Sequence, residues 1–376
     1  MTDTPFARLE NLLASNPVDG IMLTSVASLT YFAGYEGQIE WGSEPWLPCP
    51  GALLWMRGET PLVFLPEGAN YAAADSRIDR IAFTSYVYQE PLPGIQSLIK
   101  AIKDALKPRI STVSAVTIGA ELAYLPSALL ISLIEACPHI QFADISSNLA
   151  EVRAIKTPAE LQRLRQAVLL CDCGQRAAKE IACAGMTEIE LYSRIHAAME
   201  SEAGCRVPVL ADVLSGPRTA EVGGPPSSRV LCKHDLVLVD LVPRLEGYWG
   251  DSCNTFAVGA PSEPQRTLFQ TVQNTLQGAI EQVRPGLSVS ELDRFVREKV
   301  THAGVNFPHH TGHGLGVTWH EEPRIVPYSS TVLREGMVIA LEPGMYFEGQ
   351  QGLRLESVVA VTSNGAEVLT EFVHTL

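Results

Sequence analysis

Seven residues of the chain recur at a fixed distance, and that repeat restricts the fold more than any other feature. Ala178, Glu180, Gly185, Met186, Thr187, Glu190 and Leu191 return 101 positions later as Ala279, Glu281, Gly286, Leu287, Ser288, Glu291 and Leu292. Each copy reads as a helix, a glycine-containing turn and a second helix opened by a capping box, Thr187 with Glu190 and Ser288 with Glu291. Strand-rich sequence follows each copy. A repeat on this scale describes a pseudo-symmetric domain of two halves, each a helix pair plus sheet. A further box, Thr157-Pro-Ala-Glu160, marks where that domain begins. Before it, strand-like runs (Gly20 to Leu23, Gly51 to Met56, Pro61 to Leu65, Val116 to Gly119, Ile140 to Ala143) alternate with helical stretches (Ile95 to Leu106, Ser127 to Ala136). The expectation is α/β for residues 1–150 and a pseudo-symmetric second domain over 151–376.

The strands that follow each helix pair carry acids where apolar residues belong. Leu236-Val-Leu-Val-Asp240 ends on a carboxylate, turns near Pro243 to Gly247 and returns through Tyr248-Trp-Gly-Asp251. Val338-Ile-Ala-Leu-Glu342 runs out likewise and returns through Leu353-Arg354-Leu355-Glu356. Burying ionised carboxylates without compensation is expensive, so these four require a cation. Between the hairpins, His309, His310, His313 and His320 put four of the nine histidines into twelve residues. Glycines 312, 314 and 316 break any regular helix there, so the cluster is a loop or strand site for metal or acid/base work.

The order Asp240, Asp251, His313, Glu342, Glu356, with separations of 11, 62, 29 and 14 residues, resembles the five metal ligands of peptidase family M24. Gly-His-Gly-x-Gly, His-Glu-Glu-Pro, Glu-Pro-Gly and Arg-x-Glu around them are similar too. Residues 151–376 thus resemble the pita-bread catalytic domain. Residues 1–150, with Tyr31-Phe-Ala-Gly34, resemble the creatinase/prolidase N-terminal domain, the two-domain branch of prolidase and aminopeptidase P. The resemblance implies two divalent ions, Mn²⁺ or Co²⁺ first and Zn²⁺ or Fe²⁺ compatible, and Xaa-Pro hydrolysis through a metal-bridging hydroxide. It implies that Asp240 and Glu356 bridge the ions, that Asp251 completes one, and that His313 with Glu342 completes the other. Glu342 would be the general base, His320 the group facing the oxyanion, and His309 a substrate-side histidine. Arg324 would meet a substrate carboxylate and Arg354 orient the ligands. His310 receives no role.

Several residues depart from that pattern. Gly223 stands where a histidine is usual, Val242 where glycine is common, Ser357 where aspartate follows the last ligand, and Cys253 where threonine is found. These keep open a creatinase-like or other small-amide hydrolase or lyase, and a non-catalytic binding protein. Trp41, Trp46 and Trp55 in the N-terminal stretch, with Trp249 and Trp319 beside ligand motifs, suggest an aromatic-lined pocket completed in relatives by the partner subunit.

Composition narrows the setting. The net charge of −14 disfavours nucleic acid and anionic membrane. No long apolar run is present, and eight cysteines without a CxxC pair fit reduced thiols. The expectation is a cytoplasmic protein, dimeric by resemblance, acting on a peptide or small amide.

Overall fold

The computed structural model describes residues 4–37, 51–85, 88–89, 94–110, 115–301, 305 and 307–376. The chain forms two compact units, Met1–Val152 and Arg153–Leu376.

The first unit is a six-stranded mixed sheet. Its order is Asp79–Phe83, Leu62–Pro66, Ala52–Met56, Gly20–Leu23, Val116–Ala120, Ile140–Asp144. The helices Gly94–Ile110 and Ser127–Ala136 cover one face through Leu98, Ile102, Leu106, Leu129 and Leu133. Five of these strands fall where alternation puts them. The sixth, Asp79–Phe83, is mostly exposed and lies at the edge, so it carries no buried-face pattern to read. Tyr31-Phe-Ala-Gly34 is a buried π-helical turn closed by Gly34. Trp55 packs into this unit's core, stacked on Phe6 at 4.6 Å, so it does not contribute to an aromatic substrate pocket. Trp41 and Trp46 lie outside the described residues.

The second unit carries the repeat, and its halves share hydrogen bonds as well as residues. The first holds the helices Pro158–Ile181 and Glu188–Ala203 and the strands Val209–Ser215, Leu236–Leu245 and Ser252–Ala257. The second holds the helices Glu263–Gln282 and Val289–Val300. Its sheet runs in the order Glu321–Ile325, Gly312–Gly314, Val338–Leu341, Ser357–Val361, Ala366–Val368. Gly185 donates to the Leu231 carbonyl at 2.9 Å, as Gly286 does to that of Leu333 at 2.9 Å. Leu231 in turn donates to Met186, and Leu333 to Leu287, both at 2.8 Å. Each half therefore ties its helix hairpin to the segment that leads, five residues on, into a strand of its own sheet, Leu236–Leu245 or Val338–Leu341.

Thr157 and Thr187 form the expected capping boxes with Glu160 and Glu190. Ser288 does not. Its hydroxyl pairs with that of Ser290 at 2.8 Å, a local competitor that takes it from the backbone. Ser262 and Gln265 form a box instead at the head of Glu263–Gln282. The first hairpin is longer than the sequence suggested: its strand continues to Leu245 and turns on Glu246 and Gly247, both at positive φ. In the second half a separate small hairpin, Gly344–Phe347 with Gln351–Arg354, lies between the two acid-bearing strands.

Gly185 and Gly286 adopt φ +94° and +88°, and a Cβ at either would meet nothing within 4 Å. Substitution there tests backbone conformation alone. Gly185→Ala and Gly286→Ala should each cost about 1–2 kcal/mol, and nearly the same amount, in urea unfolding. A cost confined to one of them would show that the halves do not share this turn.

Candidate metal centre and active site

The five acids and imidazoles separated in sequence meet on one side of the second unit. Asp240 lies midway along Leu236–Leu245, and Asp251 immediately precedes Ser252–Ala257. His313 is the middle residue of Gly312–Gly314, Glu342 follows Val338–Leu341, and Glu356 precedes Ser357–Val361. All five line a cavity of about 250 Å³ together with Asp212, Val242, Trp319 and His320. The glycines beside His313 are needed for close approach. A Cβ at Gly312 would lie 2.0 Å from the Ala340 carbonyl oxygen, and one at Gly314 2.3 Å from that of Glu322.

The chemistry of this donor set fits divalent cations. Ligand atoms of Asp251, His313 and Glu356 lie within 4.8 Å of one another. Asp240 Oδ1 and Glu356 Oε1 are buried without a hydrogen-bond partner. His313 Nδ1 contacts the Gly314 carbonyl at 2.9 Å, which makes it the donor and leaves Nε2 as a lone pair. That Nε2 faces Asp251 Oδ2 at 3.5 Å and Glu342 Oε1 at 3.6 Å. The arrangement is an acceptor-rich pocket that holds a cation better than it holds itself.

The carboxylates differ in how far the protein compensates them. Burial, then their neighbours Asp240 and Glu342, holds Asp251 and Glu356 well above the usual carboxylate range. Asp240 is pushed up to about 6, chiefly by burial, although Arg354 pairs with its Oδ2. Burial would raise Glu342 too, but His310, His309, His313 and Arg354 together hold it below the ordinary range. Glu342 is thus the carboxylate kept ionised by the protein alone.

His310 is the residue that sequence reasoning left without a task. Its Nε2 lies 2.8 Å from Glu342 Oε1, and its Nδ1 is 3.5 Å from Arg324 Nη2. With an arginine donor on Nδ1, Nε2 carries the proton and donates to Glu342. A partner carboxylate 32 residues away in sequence is invisible to local pattern. His309, by contrast, spends both ring nitrogens on the protein, on the His310 carbonyl at 2.8 Å and Tyr346 Oη at 2.9 Å. It is not among the residues that line the cavity, and its Nδ1 lies 3.6 Å from Glu342 Oε2.

His320 does face the cavity, its ring 4.0 Å from that of His313 and 4.1 Å from that of Trp319. Burial and the imidazoles of His313 and His310 lower it to about 3, so it is neutral at physiological pH. The next residue, Glu321, is anchored by a buried ion pair to Lys156 at 3.0 Å, which fixes the loop that carries His320. Arg324 is exposed outside the cavity lining. Arg354 donates to Asp240, to the Val222 carbonyl at 2.8 Å and to Tyr346 Oη at 3.2 Å. Of the departing residues, Val242 lines the cavity and Ser357 pairs with His374 at 3.3 Å. Cys253 is buried opposite Asp240, and Trp249 is buried.

These shifts set a pH dependence for the metal-free protein. Asp251 and Glu356 hold protons in the folded state that the unfolded chain releases near pH ~4, so rising pH removes stability. His309, lowered to about 4 by burial, and His320 act oppositely, but only until the unfolded imidazoles lose their protons near pH ~6.5. Once the imidazoles no longer oppose it, over an interval of pH that begins at about 6.5, the metal-free protein should therefore lose thermal stability as pH rises. The increment in Tm from added Mn²⁺ should grow over the same interval, since a cation replaces those protons. Scanning calorimetry with and without chelator checks this; a Tm rising through that interval without metal would refute the assignment.

Known proteins are similar to this chain over most of its length. The profile of metallopeptidase family M24 matches residues 162–363, and that of the creatinase/prolidase N-terminal domain matches residues 6–155. The chain is 28% identical over 371 residues to a Xaa-Pro dipeptidase of Pyrococcus furiosus, covering 97% of both chains. Its structure is similar to a prolidase from Pyrococcus horikoshii OT3, with a TM-score of 0.83, 25% identity and 99% of each chain covered. A Xaa-Pro dipeptidase from Bacillus anthracis gives a TM-score of 0.83 at 26% identity, over 99% of this chain and 98% of that one.

Proposed function

The chain belongs to metallopeptidase family M24, with the pita-bread catalytic domain behind a creatinase/prolidase N-terminal domain, and we propose that it hydrolyses Xaa-Pro dipeptides. The observation that carries this reading is the convergence of Asp251, His313 and Glu356 on one point beside the partnerless oxygens of Asp240 and Glu356. The family implies divalent metal ions. Our reading is two of them, Mn²⁺ or Co²⁺, which Asp240, Asp251, His313, Glu342 and Glu356 would hold. When bound, such ions lower the pKa of water and polarise the scissile carbonyl.

The rest of the reaction belongs to side chains. Glu342, ionised and fixed by His310, takes the proton of the attacking water and delivers it to the leaving proline nitrogen. Neutral His320, whose ring makes no hydrogen bond with the described residues, donates to the carbonyl oxygen as it gains charge. Arg324, beside His310 and otherwise exposed, receives the free carboxylate of the dipeptide. Tyr346 and Arg354 hold the ligands in place, with His309 acting through Tyr346. The seven described cysteines are free, which supports a reducing, cytoplasmic setting. Among the described residues no helix is long and apolar enough to cross a membrane. A homodimer completes the reading.

Chelator-stripped protein should be inactive on Xaa-Pro dipeptides and recover with Mn²⁺ or Co²⁺. Arg324→Ala should raise KM for dipeptides about 10- to 100-fold while leaving kcat near its original value, because it removes binding remote from the reacting bond. Equal activity on longer Xaa-Pro peptides would make the enzyme an aminopeptidase instead. His310→Ala should lower kcat about 10- to 100-fold and raise the acidic limb of its pH profile, since Glu342 loses its donor. An unchanged acidic limb would remove His310 from this role.

A further inference from the structure

Asp212 faces the catalytic cavity and has no part in the chemistry above. Its strand, Val209–Ser215, runs antiparallel to Leu236–Leu245 with Asp212 directly opposite Asp240 and Leu210 opposite Val242. Residues two apart share a face, so the wall of the cavity presents an acidic pair and, one pleat further from the ligands, an apolar pair. Like charges placed opposite each other destabilise a sheet unless something positive lies between or above them.

Among the described residues no positive group pairs with Asp212. Its carboxylate makes no hydrogen bond or ion pair with the described residues. The neighbouring arginines are committed elsewhere: Arg354 to Asp240, Arg218 to Glu188, and Arg229 to Asp235. Gly223 completes the picture. A Cβ at that position would lie 2.5 Å from Asp212 Oδ2. The carboxylate therefore occupies space that any side chain at 223 would need. Gly223 thus brings no side-chain donor to this wall, and Asp212 brings a negative charge to the same space.

We propose that Asp212 is a specificity-determining residue that receives a substrate ammonium group. This rests on the dipeptidase reading. The order along the strand favours the α-ammonium of the residue preceding the scissile bond, because the acidic pair adjoins the ligand set. The side chain of that residue then lies along Leu210, Val242 and Trp319; Leu210 and Trp319 are 46% and 42% exposed at the cavity mouth. The preferred substrate carries a free amino terminus and an apolar first side chain.

Steady-state kinetics of the metal-loaded enzyme and Asp212→Asn, on Leu-Pro, Lys-Pro and 4-methylpentanoyl-proline, test this. The last has the Leu-Pro skeleton without its amine. The variant should lose about 10- to 100-fold in kcat/KM on Leu-Pro, mainly through KM, and at least tenfold less on the compound without the amine. An equal loss on Lys-Pro assigns the α-ammonium; a larger loss on Lys-Pro assigns the side-chain ammonium. Equal losses on all three substrates, no loss on any, or a lower metal content in the variant would overturn the proposal. Calorimetric binding of leucinamide and 4-methylpentanamide to the same two proteins separates it from the dipeptidase reading. Binding that needs both the amine and Asp212 supports this subsite even if no Xaa-Pro bond is cleaved. Amine-independent binding refutes it.

Discussion

Mutual repulsion among buried carboxylates governs this molecule. Asp240, Asp251, Glu342 and Glu356 stand close enough that each disfavours ionisation of the others, and one arginine among them is too little to balance four charges. The protein resolves the conflict unevenly. It surrounds Glu342 with three imidazoles and leaves Asp251 and Glu356 uncompensated. The first arrangement keeps Glu342 in the deprotonated form that a base requires. The second suits groups whose counter-charge comes from outside. Two roles for one residue type thus follow from where the histidines lie.

The scaffold divides the work along its pseudo-symmetry. Each half contributes a strand hairpin with two acids, hung from the same helix pair and the same pair of backbone hydrogen bonds. All the imidazoles at the site come from the second half. A symmetric frame holding an asymmetric set of donors gives positions that are chemically distinct, as an enzyme that must polarise a carbonyl on one side and release an amine on the other requires.

Much of this was legible in the sequence because it depends on order and alternation. The acids interrupt apolar strands, the glycines bracket His313, and the repeat spaces the halves. The remainder depends on orientation. Nothing in Pro308-His309-His310 says which ring turns toward Glu342, and the structure selects His310 while binding both nitrogens of His309 to the protein. Asp212 escaped notice because a single acid outside the ligand motifs carries no pattern of its own; only the register against Asp240 places it at the cavity. The Ser288 box failed for a local reason, a competing hydroxyl two residues on.

The separation of the ligands has a consequence for how the protein is made. Asp240 and Glu356 are 116 residues apart, and the donors pass from the strands of the first half, with Asp240 and Asp251, to those of the second, with His313, Glu342 and Glu356. No fragment emerging during synthesis can hold the complete set until Glu356 has been translated. The complete ligand set therefore exists only where the two halves of this unit have docked, which couples metal binding to their assembly.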